Sequence, residues 1–317
     1  MVGTRHADRL EGTRHRDVIL ARGGDDLVIG IEKNDRVCVG GGDDRVRILA
    51  RNSYASVDLG AGDDTFSGQG YRILGGSGAD RIRVSRNMNV VPGPGRDVVI
   101  AEPRKTAYSS PCLSYDSSPH RIVANLARGW VKAEGLDRVR GVQCLYGSRF
   151  ADLIIGSSRS EILSSCMPEQ MGADDVRNVI RAGGGHDEVS LCTGGDLVML
   201  GGGNDTAMGG PAGDWVYGGD GRDRIWGIQG SDHLVGGDGN DQVNGTYYCD
   251  LGSSAGTGMG DTSPNQVWGG NGDDEVTGDL GADLLDGGPG IDHGYGGPPG
   301  REGADAVASV EHLTSCR

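Results

Sequence analysis

Large aromatic side chains are scarce in this chain: of 317 residues only two are Phe, four Trp and nine Tyr. A conventional globular core, which relies on such groups to bury apolar surface, cannot be assembled from them. No apolar run approaches the ~20 residues that a membrane-spanning helix needs, so no transmembrane segment is expected. The opening Met1-Val2-Gly3-Thr4-Arg5-His6 has no apolar h-region. A secretory signal therefore either preceded this numbering or is not used. Seven cysteines show no CxxC spacing of the zinc type, and no paired-histidine metalloprotease motif is present. An excess of positive charge is also missing. The formal net charge is -15, which argues against nucleic acid as a partner. Only three of the basic residues are Lys (Lys33, Lys105, Lys132), a bias of little functional weight.

Glycine and aspartate are abundant instead. Glycine fills 60 positions, and 35 Asp stand against 10 Glu. Asp is short, favours turns and is a good ligand for hard cations. The two residue types recur with a period of nine. Stepping from Asp187 gives Asp196, Asp205, Asp214, Asp223, Asp232 and Asp241, without a miss. Two residues earlier stand Gly185, Gly194, Gly203, Gly221, Gly230 and Gly239, with Ala212 the exception. Two residues later come Val189, Val198, Ala207, Val216, Ile225, Leu234 and Val243. A second run holds Asp8, Asp17, Asp26, Asp35 and Asp44; a third holds Asp274, Asp283 and Asp292. Looser copies surround Asp64, Asp80, Asp97, Asp152 and Asp305, and Glu161 takes the Asp position after Asp152.

Each unit divides into two physical parts. Six residues, as in Gly236-Gly237-Asp238-Gly239-Asn240-Asp241, make a turn whose glycines permit positive φ. Three more, as in Gln242-Val243-Asn244, make a short strand with its middle residue inward. One unit buries one modest side chain and cannot fold alone; stacked units form a thin continuous core.

The pattern GGxGxDxUx resembles the RTX (haemolysin-type) calcium-binding nonapeptide. The match is clearest over Gly183–Asn244 and Trp268–Tyr295 and recognisable from Gly3 to Arg47. The resemblance implies an all-β fold: a right-handed parallel β-roll, a β-solenoid of nonapeptide repeats with loop insertions. It also implies several Ca²⁺ ions between turns, held by the position-six Asp and by loop carbonyls. Partners would lie two units apart, pairing Asp187 with Asp205, Asp196 with Asp214, Asp205 with Asp223, Asp214 with Asp232, and Asp223 with Asp241. The expected metal-site residues are Asp187, Asp196, Asp205, Asp214, Asp223, Asp232, Asp241, Asp274, Asp283 and Asp292. Asp26, Asp44 and Asp64 join them from the N-terminal run, and Gly201, Gly203, Gly219, Gly221, Gly230, Gly237 and Gly239 from the loops. Carboxylate and carbonyl oxygens independently suit Ca²⁺ rather than Zn²⁺ or Cu²⁺. The turns ending at Asp8 and Asp17 lack the inner glycines and carry basic residues. They read as capping coils with weak or absent calcium.

Residues 1–100 read as a degenerate repeat block, 101–146 as a connector, and 147–317 as the main block with insertions at about 165–180 and 245–267. The connector, with Tyr115-Asp116-Ser117-Ser118-Pro119 and Gly135-Leu136-Asp137, resembles segments found between RTX blocks and is expected to continue the solenoid as longer coils. Cysteines flanking the interruptions suggest disulfides Cys112–Cys144 and Cys166–Cys192. Gly252-Ser253-Ser254-Ala255-Gly256 fits GxSxG, but a nucleophile elbow needs a strand before it and a helix after it, and glycine-rich loop flanks this one. Trp215 and Tyr217 are outward on one face and Trp226 on the other, a weak basis for a sugar platform. The expectation is a secreted or surface calcium-binding protein that folds on extracellular Ca²⁺, a monomer without catalytic residues. Its partners would be calcium and a cell-surface glycan or protein. The alternatives are the calcium-binding C-terminal module of an exported enzyme, or an adhesin or matrix scaffold.

Overall fold

A three-residue strand with a single inward side chain can be stable only beside copies of itself, and the fold is built from such copies. The computed structural model describes residues 1–32, 34–50, 54–85, 88–102, 107–165, 176–246, 263–278, 281–296, 306–310 and 312–315. Among them there is no α-helix; apart from a 3₁₀ turn at Ala107–Ser109, regular structure is β. The chain divides into two units, Met1–Arg149 and Phe150–Arg317.

In the first unit, strands Arg9–Glu11, Leu27–Ile29 and Arg45–Arg47 stack in parallel, with Leu10 beside Val28 beside Val46. The intervening strands Val18–Gly23, Arg36–Gly41 and Ser56–Asp58 form a second parallel sheet. Two nine-residue units thus make one coil of a β-solenoid, and equivalent residues in successive coils become neighbours. The middle residue of each strand points inward: Ile19, Val28, Phe66, Ile73 and Ile82 are fully buried. The connector continues this unit, since Val98–Ala101 pairs in parallel with Leu136–Arg140. It also makes an excursion of opposite sense. Val123–Asn125, Trp130–Lys132 and Leu136–Arg140 are antiparallel, the chain reversing where Gly129 adopts φ 72°. Cys112–Ser114 lies between Asn89–Val91 and Cys144–Tyr146. Cys112 and Cys144 are register partners and are joined by a disulfide, as expected.

In the second unit Val179–Gly184, Leu197–Gly202, Trp215–Asp220, His233–Asp238 and Gln266–Asn271 stack in one sheet. Glu188–Ser190, Thr206–Met208, Arg224–Trp226, Gln242–Asn244 and Glu275–Thr277 stack in the other. The inward Val189, Val198, Ala207, Val216, Ile225, Leu234 and Val243 are all fully buried. Trp226 stands on the opposite sheet from Trp215 and Tyr217. Most of each insertion, including Cys166, Cys249 and Ser254, lies outside the described residues, as do Cys316 and Asp305. Cys192 is disulfide-bonded, and its expected partner Cys166 is among those not described.

Candidate metal site

The turn glycines explain how coils approach one another. Gly201, Gly219, Gly237 and Gly270 have φ of 109–120°, and Gly203, Gly221, Gly239 and Gly272 have φ of 125–137°. A Cβ on Gly221 would collide with the carbonyl oxygen of Gly203 in the preceding coil, and one on Gly219 with that of Gly201. Glycine at these positions lets each carbonyl lie against the next coil. Gly230, at φ 102°, is similarly pressed against Ala212.

These turns hold the position-six aspartates in buried rows. Oδ1 of each Asp accepts the backbone N–H of the equivalent residue one coil earlier. The bonds from Asp187 to Asp205, Asp196 to Asp214, Asp205 to Asp223, Asp214 to Asp232, and Asp223 to Asp241 are all 2.8 Å. All five expected pairs are therefore neighbours. The row continues from Asp241 to Asp274 and from Asp274 to Asp292; the other row reaches Asp283 from Asn265. In the first unit one row runs Asp8, Asp26, Asp44, Asp64, Asp80, Asp97, Asp137.

The second carboxylate oxygen is different. Oδ2 of Asp26, Asp44, Asp64, Asp80, Asp97, Asp187, Asp196, Asp205, Asp223, Asp241 and Asp274 is buried without a hydrogen-bond donor. A buried charge with no partner is costly. Burial, only partly opposed by the accepted N–H, pushes Asp64, Asp196 and Asp241 up to about 7 and Asp97 and Asp187 to about 8. Beside several of these oxygens lies a second acceptor. A Cβ on Gly236 would meet both Asp241 Oδ2 and the carbonyl oxygen of Gly269; one on Gly269 would meet both Asp274 Oδ2 and that of Gly287. Gly218 is related in the same way to Asp223 Oδ2 and the Gly236 carbonyl. Converging acceptors with no proton between them suit a hard cation. Among the described residues no three His, Cys, Asp or Glu side chains converge to hold a metal. Main-chain carbonyls must therefore complete any shell.

Comparison with family models places the RTX calcium-binding nonapeptide repeat at residues 2–30, 199–230, 208–243 and 259–293. This chain carries RTX calcium-binding repeats. The matched segments span about a third of it. A search of curated proteins finds no match.

Several rungs carry a protein donor at the second carboxylate oxygen. Asp8 Oδ2 accepts from the Thr4 N–H (2.5 Å) and hydroxyl (2.9 Å), and Asp17 Oδ2 does the same from Thr13. These bonds, the backbone N–H first, hold both carboxyls below the usual range. Glu161 is held by the Ser157 N–H and hydroxyl. Asp137 Oδ2 accepts from the buried Tyr115 hydroxyl at 2.8 Å, and Asp214 Oδ2 from the Gly210 N–H at 2.9 Å. Sequence reading did not identify Asn178 and Asn265, which occupy rungs before Asp196 and Asp283. Stepping back by 18 residues finds both. Asp137 follows Asp97 by 40 residues, and no periodic signal reveals it.

Proposed function

We propose that this is an exported calcium-binding β-roll whose coils lock together when Ca²⁺ binds outside the cell. The observation that carries the reading is the row of buried, donorless Oδ2 atoms. Asp223 with the Gly236 carbonyl, Asp241 with that of Gly269, and Asp274 with that of Gly287 would hold ions. The cation supplies positive charge that offsets both the burial of these carboxylates and their repulsion along the row. Extracellular calcium modules are typically tuned to about 10⁻⁴–10⁻³ M, far above cytosolic levels, so such a chain stays loose until export. The N–H ladder holds neighbouring coils in register, and the ion ties the second oxygen to the next coil's carbonyl.

The same reading assigns no catalysis to the chain itself. Its loop carboxylates are committed to cations that keep them ionised near neutral pH. An exported enzyme's calcium module and an adhesive scaffold remain compatible roles for such a β-roll. The deciding experiment is circular dichroism titrated with calcium, paired with calorimetric stoichiometry. Ca²⁺ should induce β-structure with several ions bound, and Mg²⁺ should substitute poorly because it demands tight octahedral geometry. A fully folded chain after exhaustive chelation at pH 8 would contradict metal-coupled folding. In the same calcium buffer, esterase, protease or glycan-cleaving activity abolished by Ser254→Ala would contradict the non-catalytic assignment.

A further inference from the structure

The chain is strongly acidic, yet one sheet face of the first unit is basic. On the strands Arg45–Arg47, Arg81–Val84 and Leu136–Arg140, the outward positions hold Arg45 and Arg47, Arg81 and Arg83, and Arg138 and Arg140. All six are exposed. The register places Arg45 beside Thr65 beside Arg81, and Arg81 beside Val98 beside Arg138. The second column runs Arg47, Ser67, Arg83, Ile100, Arg140. Arginine pairs thus alternate with uncharged strands. With neighbouring strands about 4.8 Å apart, the pairs repeat every ~9.6 Å, and the two columns stand ~7 Å apart.

Among the described residues none of these six arginines is ion-paired. An ion pair, Arg9–Glu11, lies at the near end of the same face. Arginine-rich composition does not explain the placement. The equivalent sheet of the second unit presents Leu197, Trp215, His233, Gln266 and Leu284 in one column and Arg181 as its lone arginine in the other. Like charges repeated along one face at ~9.6 Å, about one Debye length, repel one another, so an unpaired arginine array has a cost that an external anion relieves. Guanidinium forks match carboxylate and sulfate oxygens in bidentate fashion.

We propose that this face binds a single-chain anionic polysaccharide carrying carboxylate or sulfate groups, laid across the strands. The proposal gives the calcium-binding β-roll a partner and rests on that reading only for the folded state of the unit. The stripe is two arginines wide, and the exposed carboxylates of Asp25, Asp43 and Asp63 border it at the turns. An extended pyranose chain fits that width, and its ring-to-ring advance is comparable with the strand spacing. A nucleic-acid duplex is much broader and would run onto the acidic border. Single-stranded nucleic acid uses aromatic platforms, and the positions between the arginine pairs are Thr65, Ser67, Val98 and Ile100.

The test uses the calcium-loaded full chain and the triple variant Arg45→Gln/Arg81→Gln/Arg138→Gln, with heparin, hyaluronan, neutral dextran and a short DNA duplex as probes. Heparin or hyaluronan should bind, dextran should not, and the variant should bind more than about tenfold more weakly, with affinity falling as salt rises. Circular dichroism and calcium stoichiometry on both proteins report whether the fold and its metal sites are intact. A chain that takes up calcium normally but ignores both glycans overturns this proposal and leaves the calcium reading standing. Glycan affinity unchanged in the triple variant, or tighter binding to the DNA duplex than to either glycan, also overturns it. A second variant, Arg181→Gln/Arg224→Gln on the other unit, should leave glycan binding unchanged; an equal loss there would show a nonspecific charge effect and defeat the assignment.

Discussion

Removing calcium should make the stability of this protein fall as pH rises. Asp97 and Asp187 are buried with donorless Oδ2 atoms, and burial lifts both from the ordinary 3.8 to about 8. A carboxyl whose folded pKa is raised holds more protons folded than unfolded between those two values. Unfolding is then linked to proton release, and stability declines with increasing pH. The penalty is absent below about pH 4, grows through the interval, and is complete above about pH 8. For one such rung, at ~1.36 kcal/mol per pH unit, it is at most about 6 kcal/mol before solvent screening reduces it. That is comparable with the entire stability of a typical domain, about 5–15 kcal/mol. The metal-free chain should therefore show substantial β-structure and a cooperative melt at pH 5.5, and lose both by pH 8. Millimolar calcium should remove this dependence or reverse it, because protons then compete with the cation. Thermal melts followed by circular dichroism, on protein stripped by a chelating resin, measure the effect. Equal melting temperatures at pH 5.5 and pH 8 without metal would refute the argument that uncompensated carboxylates oppose the fold.

Asp223→Asn should keep the hydrogen bond from the Asp205 N–H but remove a ligand charge, raising the calcium midpoint and lowering the stoichiometry. Asp8→Ala should change neither, since Thr4 already supplies donors to that carboxylate; equal effects of the two substitutions in parallel calcium titrations would contradict the division of rungs. Breaking the Cys112–Cys144 bond, which closes a segment of sequence separation 32, should cost about 3–4 kcal/mol in the chain-entropy account. Urea unfolding of Cys112→Ser/Cys144→Ser in calcium, showing no loss, would show that the bond adds nothing to the connector.

The repeating parts of the structure were legible because one period encodes both the turn and the strand. Asp187 to Asp241 fixes the phase, and the residue two places later is buried every time. What obscured the rest was change in coil length. The ladder advances by 20 residues from Asp44 to Asp64, 16 from Asp64 to Asp80, and 17 from Asp80 to Asp97. It advances by 26 from Glu161 to Asp187 and 33 from Asp241 to Asp274. Only the points where each coil returns to the sheet are constrained, so loops between them vary freely. The antiparallel excursion at Trp130–Lys132 and the Tyr115–Asp137 bond arise from contacts between segments that share no period. The arginine array was hidden for another reason. Its members are spread over 45–140, and only the register makes them adjacent.

The two oxygens of each rung have separate tasks, and this separation explains which substitutions the ladder carries. Coil-to-coil adhesion needs only an acceptor at Oδ1. Asparagine supplies it, and Asn178 and Asn265 accept the N–H groups of Asp152 and Asp232 at 2.9 Å. Position five forms an outer ladder of the opposite sense on the same terms. The Asp43 N–H donates back to Asp25, the Asn204 N–H to the His186 imidazole, and the Arg222 N–H to Asn204. Asp, Asn and His serve equally there because any acceptor of suitable reach is enough. Oδ2 at position six is the exception. Where threonine, serine, tyrosine or a loop N–H donates to the second carboxylate oxygen, the rung is satisfied by the protein alone. Where no donor reaches it, as at Asp205, Asp223 and Asp241, a buried oxygen is left without a partner, and on the proposed reading a cation completes it. Register is thus set by hydrogen bonds that asparagine or aspartate can make, while under the proposed calcium reading the need for a cation would be set rung by rung through the presence or absence of one additional donor.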